Sequence, residues 1–471
     1  NHPKHLKLLF FMPHFICGTM LLNSNENNHS RNGVSKWEEI IKVLPTLTEK
    51  ELKSVKPKDY AIALLINEIK SQLDEYDFHL NYFNNRFYIY QDSFWNEISL
   101  DKVELFLRDC AKKYYQNEIK YHTESFYKPL GESFKKEMKV LVESNNSSIL
   151  LNCKNLTLEF NQKEFKPREA RKEDHLTYRL QYDYNAEAKS PMWDKFLDEM
   201  LPNKEHQLLL HQYVGYSFTQ NLKLEKALFL YGEGGNGKSV VQEVITELLG
   251  KENTSSVSIG KLTKDPNTIM LIEDKLLNYC SENERYFNLA QFRTLVSGEP
   301  ILGKKLYKDI RSVENYAKLM FNMNSLPNVK EEKESYLRRL LILEFNRKPK
   351  KIDPQLHYKI IDNELDGIFN RVVEALKILI QDKSFVSIPE IDKFLSEYRY
   401  SQDTVQQFID DCKNSSLING VTKATTIHEY YISYCSRHKE QHLNLISFCK
   451  ELNQKGYQPI KRNDGNYYDI S

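Results

Sequence analysis

A glycine-rich run constrains the fold of this chain more than any other feature. It fits the pattern G-x-x-x-x-G-K-[ST] and reads Gly232-Glu233-Gly234-Gly235-Asn236-Gly237-Lys238-Ser239. The apolar segment 226–231 before it predicts a strand, and segment 239–249 after it carries apolar residues at helical spacing. Because glycine has no Cβ, the backbone can wrap around an anion and point its N–H groups at it. The pattern therefore predicts a strand–loop–helix unit that binds nucleotide phosphates.

All eight residues of the run are predicted nucleotide contacts, and the last two have defined tasks. We expect Lys238 to neutralise the β- and γ-phosphates and the Ser239 hydroxyl to bind Mg²⁺. ATP and Mg²⁺ are therefore the expected cofactors. The alternative is a glycine-rich turn that fits the pattern by chance, and the strand and helix on either side argue against it.

Acidic residues follow the next predicted strand, 275–280. An acid at the tip of the strand beside the phosphate loop can hold Mg²⁺ and orient the attacking water. Glu282 is the first candidate for this role and Glu284 the second. Together with Ser239, Glu282 forms the predicted metal-binding pair. Solvated loop charges are the alternative interpretation.

Polar and basic residues mark two further predicted strands. Asn324 ends the apolar run 316–324, where an amide can bind the γ-phosphate and the lytic water, and Asn322 on the same strand face is an expected supporting group. Arg338 and Arg339 stand just before the next apolar strand. From that position an arginine, with Arg339 preferred, can cross a subunit boundary and stabilise transition-state charge. A solvated arginine pair at a helix end stays open as the alternative.

A basic segment lies between the acidic strand and the Asn324 strand, around Gly303. Lysines neutralise phosphates without reading sequence, and an aromatic ring can stack on a base. The predicted DNA contacts in this segment are Lys304, Lys305, Tyr307 and Lys308. A solvated charge run is the alternative.

The end of the chain predicts two helices, 426–438 and 443–456, followed by a hairpin that turns at Asp464-Gly465. The hairpin carries Lys461 and Arg462, which are further predicted DNA contacts. Helix, helix and basic hairpin form a common winged-helix DNA-binding layout. The same layout also serves as a protein-interaction module, and both interpretations stay open.

Composition sets the frame for these motifs. A chain of 471 residues is too long for one core and predicts about three domains. Its 66 Lys+Arg and 65 Asp+Glu nearly balance, so any basic surface must be local. The seven cysteines contain no C-x-x-C pair, which indicates neither a zinc ribbon nor a disulfide framework. A reduced, cytoplasmic protein without a membrane partner is the simplest expectation.

The first residues contain an apolar segment, 6–22, which Pro13 and His14 interrupt and which is short for a membrane span. We expect a buried or artefactual segment rather than a targeting signal. Residues 1–34 are assigned to a leader and linker that precede the first predicted domain.

Taken in order, these motifs resemble superfamily 3 helicases of the AAA+ class. The resemblance rests on the glycine loop, the Ser-Glu pair after a strand, the segment 297–301, Asn-x-Leu-Pro, and Arg-Arg-Leu before a strand. It is nearest to the D5-like or P4-like helicases of phage and plasmid primase proteins. Residues 87–90 with Trp95, and the segments 176–183, 191–198 and 212–216, are similar to the D5 amino-terminal domain.

The resemblance implies an α/β AAA+ core at 191–388, an α+β D5-like amino-terminal domain at 35–190 and a winged helix at 389–471. It further implies a homo-hexameric ring that hydrolyses ATP and moves 3′ to 5′ along DNA, with the basic segment around Gly303 as a pore-lining hairpin. Single-stranded and forked DNA, and a separate primase or replication initiator, are then the expected partners.

The expected setting is the replication of a phage, plasmid or other mobile element. Two features depart from the family pattern. The Ser-Glu pair replaces a common Asp/Glu pair, which leaves the metal-holding group open. No region corresponds to a primase-polymerase domain, so primer synthesis is not expected. The alternative function is an origin-binding initiator or a nucleotide-switched NTPase without processive unwinding.

Overall fold

The computed structural model describes residues 28–470 except 56, 117, 143–147, 162–164, 220–221, 283–286, 305–309, 327–332, 416 and 419. Within this range, side chains are not described for residues 28–35, 282 and 333–334. Residues 1–27 of the predicted leader therefore lie outside the described residues, whereas residues 28–34, predicted as linker, belong to a helix. None of the helices in the described part of the chain combines the length and the apolar character that crossing a membrane requires.

The chain forms two compact units, of which the first comprises residues 1–143 and 171–177 as far as they are described. Its elements are α1 (Asn28–Val43), α2 (Glu49–Ser54), α3 (Lys58–Glu75), β1 (Leu80–Phe83), β2 (Arg86–Gln91), β3 (Phe94–Ile98), α4 (Leu100–Tyr115) and α5 (Glu124–Glu137). The helices and the antiparallel sheet β1-β2-β3 share one apolar core. The β1–β2 hairpin turns at Asn84-Asn85, and both asparagines have positive φ, 49° and 60°, as a type I′ turn requires.

The second unit comprises residues 144–170 and 178–471 as far as they are described. It begins with an antiparallel sheet of β4 (Ile149–Asn152), β5 (Thr157–Phe160) and β6 (Phe165–Arg168). The elements that follow are α6 (Pro191–Met200), α7 (Lys204–Ser217), β7 (Ala227–Tyr231), α8 (Lys238–Leu249), β8 (Thr254–Ser255), α9 (Ile259–Lys264), α10 (Pro266–Ile269), β9 (Leu277–Glu282), α11 (Leu289–Ser297), β10 (Ile301–Lys304), β11 (Ile310–Val313), β12 (Lys318–Met323), α12 (Lys333–Leu337), β13 (Leu340–Glu344) and α13 (Leu356–Asp382).

Five parallel strands form the centre of this unit in the order β13-β7-β12-β9-β8. Their apolar runs are almost continuous because the sheet is buried on both faces. One face of the sheet presents Phe229, Phe321 and Ile342 side by side. Helices α9, α11 and α12 pack against this face. Elsewhere in the unit, helix α13 packs against both α7 and α8.

The strand order corrects one expectation. The acidic strand β9 was expected beside the strand that precedes the phosphate loop, but β12 lies between β7 and β9. The neighbours of β7 are β12, which leads to Asn324, and β13, which follows the arginine pair. The expectation was wrong because sequence order does not fix strand order in a parallel sheet.

The remaining elements are α14 (Pro389–Ser401), α15 (Thr404–Ser415), β14 (Thr422–Lys423), α16 (Ala424–His438), α17 (Leu445–Gln454), β15 (Ile460–Arg462) and β16 (Gly465–Tyr468). The two helices and the hairpin predicted for the end of the chain are present, and β14 adds a third strand beside β16. Helices α15, α16 and α17 enclose their own apolar core. Helix α14 packs on the parallel-sheet core, with the Phe394 ring centroid 5.3 Å from that of Tyr231.

The compact units do not follow the predicted domain boundary at residue 190. The α13 side chain of Asn370 donates hydrogen bonds to the carbonyls of Asn185 and Ala188, at 2.8 and 3.0 Å. Glu364 of the same helix, which is buried, accepts the N–H groups of Met192 and Trp193 at the start of α6. These contacts join the segment before α6 to the second unit, and residues 389–471 belong to that unit as well.

Candidate nucleotide-binding site

The phosphate-loop sequence forms the predicted strand–loop–helix unit. Strand β7 ends at Tyr231 and α8 begins at Lys238, with Gly237 as its N-cap. Gly235 and Gly237 have φ of +76° and +83°, a conformation that side chains with a Cβ rarely adopt. Successive backbone N–H groups in such a loop form a concave surface that attracts anions, and the positive end of the helix dipole adds to this attraction.

The glycines of the loop fall into two groups. A Cβ on Gly232 would lie 2.5 Å from the Phe345 carbonyl oxygen, and one on Gly237 would lie 2.9 Å from the Phe196 ring. These two glycines permit close packing of the loop against β13 and α6. A Cβ on Gly234 or Gly235 would meet nothing within 4 Å. The space beside these two glycines is what a phosphate-binding loop requires.

Lys238 is buried, and its ammonium points back into the loop. Its Nζ donates to the carbonyl oxygens of Gly232 (2.6 Å) and Glu233 (2.9 Å) and to Asn236 Oδ1 (2.9 Å). Burial lowers the pKa of this ammonium below its ordinary value. All three acceptors are neutral, so an anionic phosphate oxygen would bind the ammonium more strongly than any of them.

Asn236 links the loop to the residue that follows β13. Its Nδ2 donates to the Phe345 carbonyl while its Oδ1 accepts from Lys238, and the side chain is buried. The backbone N–H of Phe345 in turn donates to the Tyr231 carbonyl at 2.7 Å. Asn236 was predicted as a nucleotide contact, and within the protein it fixes the position of the lysine.

Register brings the phosphate loop, Glu282 and Asn324 to one edge of the sheet. Tyr231 lies opposite Met323, and Met323 lies opposite Glu282, so β7, β12 and β9 end in one row. Asn324 follows Met323 directly and is exposed, and Ser239 is exposed in the first turn of α8. Glu282 therefore ends its strand at the same edge as the phosphate loop.

The other polar candidates near this edge differ in their placement. Asn322 is only 5 % exposed and is hydrogen-bonded to Gln242 of α8 at 2.8 Å. It can support the site but lies beneath the surface that Asn324 reaches. Glu284, the second candidate acid, lies outside the described residues. The sequence pattern does not single out Gln242, although its position one helical turn after Lys238 is a usable signal.

The two arginines lie at the opposite, amino-terminal edge of the sheet, and the structure gives them unlike environments. Arg339 is 7 % exposed and donates to Ser335 O (2.8 Å), Glu225 Oε2 (3.0 Å) and Ser297 Oγ (3.0 Å). Arg338 is exposed. Within this protomer the Arg339 guanidinium is bound by its own chain, and Arg338 is the member of the pair that faces solvent.

The basic segment around Gly303 forms a two-stranded antiparallel hairpin. Lys304 pairs with Ile310, and both are exposed on the face that also carries Leu302. The opposite face packs through Gly303 against Met270, in the segment that leads to the amino end of β9. Of the other predicted DNA contacts in this segment, Lys305, Tyr307 and Lys308 lie outside the described residues.

The predicted DNA contacts at the end of the chain lie on β15. Lys461 and Arg462 are both exposed, and the Arg462 guanidinium lies 4.3 Å from the centroid of the Tyr467 ring on the paired strand. At the turn of the same hairpin, Asp464 pairs with Lys423 at 3.0 Å. The hairpin thus presents two cations next to an aromatic ring.

Comparisons with known proteins agree with part of the resemblance. Residues 71–202 match the family described as D5 N terminal like, and residues 230–339 match a family of unknown function (DUF5906). The search of curated proteins found no match. The chain therefore carries a D5-like segment before its parallel sheet.

Solved structures give a likeness of fold. The A form apo structure of the NrS-1 C terminal region aligns with 84 % of this chain and 97 % of that chain, at 9 % identity and a TM-score of 0.51. A second apo structure of the same region aligns over the same shares, at 10 % identity and a TM-score of 0.49. The first of these shows a shared fold.

The packing of the glycines generates a prediction about stability. We expect Gly232→Ala to lower the free energy of unfolding by about 1–3 kcal/mol, because its Cβ would clash with the Phe345 carbonyl. Gly234→Ala is the matched control, since its Cβ meets nothing, and should unfold at or slightly above the parental temperature. Thermal unfolding followed by circular dichroism tests both. Equal melting temperatures for the two variants would contradict the packing role of Gly232.

Proposed function

We propose that this protein is an ATP-dependent DNA helicase of the superfamily 3, D5-like type, which acts in the replication of a phage, plasmid or other mobile element. The observation that carries the proposal is the convergence of the phosphate loop, Asn324 and Glu282 on one edge of the parallel sheet. A basic hairpin at the other end of the strands provides a separate surface for DNA.

ATP and Mg²⁺ fit the residues at the carboxyl edge. The open space beside Gly234 and Gly235 and the N–H groups of the loop suit phosphate oxygens, and Lys238 supplies a cation. Ser239 and Glu282 would hold Mg²⁺, which usually combines one or two protein oxygens with phosphate and water. Magnesium would neutralise charge that develops on the phosphates. Asn324 would orient the attacking water, and Glu282 would accept its proton.

The separation of the arginines from the loop supports a proposal of self-association. Arg338 is exposed at the amino edge, whereas the loop lies at the carboxyl edge of the same strands. A neighbouring protomer could bring its Arg338 to this protomer's phosphates, and head-to-tail contacts of this kind close into rings. We propose a homo-hexamer, with Arg338 rather than Arg339 as the trans-acting finger.

DNA contact is proposed at two places. Lys304 is exposed on the β10–β11 hairpin, and the following residues, Lys305, Tyr307 and Lys308, add charge and an aromatic ring. In a ring these hairpins would line the pore and hold single-stranded DNA by its phosphates. Lys461 and Arg462 form the second place, on a winged-helix-like layout that suits duplex or forked DNA. A primase or initiator is a further proposed partner.

The exposed cations of the terminal hairpin favour a second candidate function. An origin-binding initiator, or an NTPase that switches assembly states, would need the duplex contact of Lys461 and Arg462 but no pore. A strand-displacement assay on forked DNA separates the candidates, because only the motor couples hydrolysis to unwinding. Unwinding in the 3′ to 5′ direction is the expected result.

The first prediction for this function concerns the ATP site. Lys238→Ala should abolish ATP hydrolysis, because the developing charge on the γ-phosphate loses its cation. Glu282→Gln should bind ATP with parental affinity and fail to hydrolyse it. Phosphate release and binding of a fluorescent ATP analogue measure the two effects. Glu284→Gln is the matched control, and turnover that stops in this variant but not in Glu282→Gln would reassign the acid.

The second prediction separates the two arginines. Arg338→Ala should fold and bind ATP like the parent but hydrolyse it roughly 10³-fold more slowly, as for other arginine fingers. Arg339→Ala should instead lower the melting temperature, since Glu225 and Ser297 lose their shared partner.

Mixing tests the trans role directly. A ring that contains both Arg338→Ala and Lys238→Ala protomers can pair an intact loop with an intact Arg338, so activity should partly return. No return in rings that demonstrably exchange subunits, or parental turnover by Arg338→Ala, would count against the finger.

The third prediction concerns the hairpin. Replacing Lys304, Lys305 and Lys308 together with Ala should flatten the slope of log affinity against log salt for single-stranded DNA by about 0.7 for each phosphate that is no longer neutralised. The rates of unwinding and of DNA-stimulated ATP hydrolysis should fall together, while the rate of ATP hydrolysis without DNA should equal that of the parent. The double variant Lys461→Ala, Arg462→Ala serves as the comparison. It should weaken binding of duplex DNA without changing unwinding or DNA-stimulated hydrolysis. Parental unwinding by the triple variant would exclude the pore role.

A further inference from the structure

Four polar side chains connect the phosphate-loop helix to the two strands that end at the site. Gln242 Oε1 accepts hydrogen bonds from Asn322 Nδ2 (2.8 Å) and from Ser281 Oγ (3.1 Å). Gln242 Nε2 donates to the Tyr279 carbonyl at 3.1 Å, and the Tyr279 hydroxyl donates to Asn322 Oδ1 at 2.9 Å. The network therefore joins α8 to both β9 and β12. On the helix, only the side chain of Gln242 takes part.

Only one arrangement of donors and acceptors satisfies this network. The Tyr279 carbonyl can only accept, so the Nε2 of Gln242 must face it. The Oε1 of Gln242 then faces Asn322, whose Nδ2 must donate to it, which leaves Oδ1 of Asn322 to accept from the Tyr279 hydroxyl. Rotating either side-chain amide by 180° would place two acceptor oxygens, or two donor NH₂ groups, opposite each other. The connection is thus specific in direction as well as in distance.

The network runs from the core to the surface at the tip of the acidic strand. Tyr279 and Asn322 are buried, whereas Ser281 is exposed and directly precedes Glu282. Asn322 lies opposite Ser281 in the parallel register. In a buried setting of low dielectric, members of such a network strengthen one another, and loss of one weakens the rest. The position of the strand tip is therefore tied to the position of α8.

The spacing on α8 relates this network to the phosphates. Gln242 is four residues after Lys238, so both side chains lie on the same helix face, about 6 Å apart along the axis. One turn of α8 thus carries Lys238, the lysine expected to bind the γ-phosphate, and Gln242, which is hydrogen-bonded to the tip of the acidic strand. Hydrolysis needs the water, the acid and the phosphorus aligned, and a displacement of about 1 Å can cost roughly 10²-fold in rate.

We propose that Gln242, acting through Ser281 and Asn322, is a positioning residue that holds the backbone of Glu282 in register with the phosphate loop. The inference rests on the proposed ATP hydrolysis and extends it to residues that touch no substrate. It gives the buried Asn322 a task distinct from that of Asn324, which faces the site. A plain packing role for the same four side chains would affect folding without a selective effect on turnover.

The test measures kcat and KM for ATP, affinity for a non-hydrolysable ATP analogue, and melting temperature in the full chain. Gln242→Leu keeps the side-chain volume and removes every hydrogen bond, and we expect it to lower kcat between roughly 10- and 100-fold with KM changed less than about threefold. Asn322→Leu should match it, and the double variant should be no slower than the slower single variant, because the residues act as one unit.

Two milder variants and a control keep the test informative if a core variant does not fold. Ser281→Ala removes the hydrogen bond to Gln242 (3.1 Å) and the longer one from Asn322 Nδ2 (3.4 Å) at the exposed end, and should lower kcat about threefold to tenfold. Tyr279→Phe leaves every bond of Gln242 in place and should have a smaller effect than Gln242→Leu. Glu243→Gln, the neighbour on α8 whose carboxylate faces His357, should turn over ATP like the parent.

The outcomes separate this inference from the function on which it rests. Parental kcat in Gln242→Leu, or in Ser281→Ala where the former does not fold, would overturn the positioning role while leaving ATP hydrolysis intact. A lowered melting temperature with kcat unchanged would overturn it in the same way. A parent protein that binds ATP without hydrolysing it would overturn the proposed function and the positioning role together.

Discussion

The parallel register of the central sheet is the constraint on which the candidate site depends. Parallel hydrogen bonding carries the carboxyl ends of all strands to one edge, and the pairs Tyr231–Met323 and Met323–Glu282 align three of those ends. A slip by one residue would turn every side chain to the opposite face. Such a slip would also separate Asn322 of β12 from Gln242, its hydrogen-bond partner at 2.8 Å, and would disturb the large side chains that pack on both faces of the sheet.

The loop at this edge is held before any ligand arrives, because its polar groups bind one another. Lys238 has three acceptors, and Asn236 links the lysine to the Phe345 carbonyl of the neighbouring strand. A buried ammonium without partners would be costly, so these bonds also stabilise the folded loop. Phosphate oxygens would then exchange neutral acceptors for charged ones, which strengthens the bonds while the backbone stays nearly in place.

Local structure followed from the sequence because its causes are local. The glycine pattern and the Asp464-Gly465 turn depend on the backbone preferences of a few adjacent residues, and each appears where it was predicted. The insertion of β12 between β7 and β9 depends instead on packing between distant segments. The same holds for Asn370 and Glu364, which join the residues before α6 to the second unit.

Arg338 and Arg339 show that a sequence motif can locate an arginine pair without telling which of the two arginines can contact a neighbouring subunit. Arg339 turns inward because Glu225, far away in sequence, and Ser297 lie within reach of its guanidinium, whereas Arg338 faces solvent. In the proposed ring this difference matters, because the amino edge that carries Arg338 and the carboxyl edge proposed to bind phosphates are unlike surfaces of one protomer. A two-fold dimer repeats the same patch on both partners and does not bring these edges together at every interface. Head-to-tail packing would do so at each interface, and the neighbouring protomer would then complete each ATP site of the proposed ring.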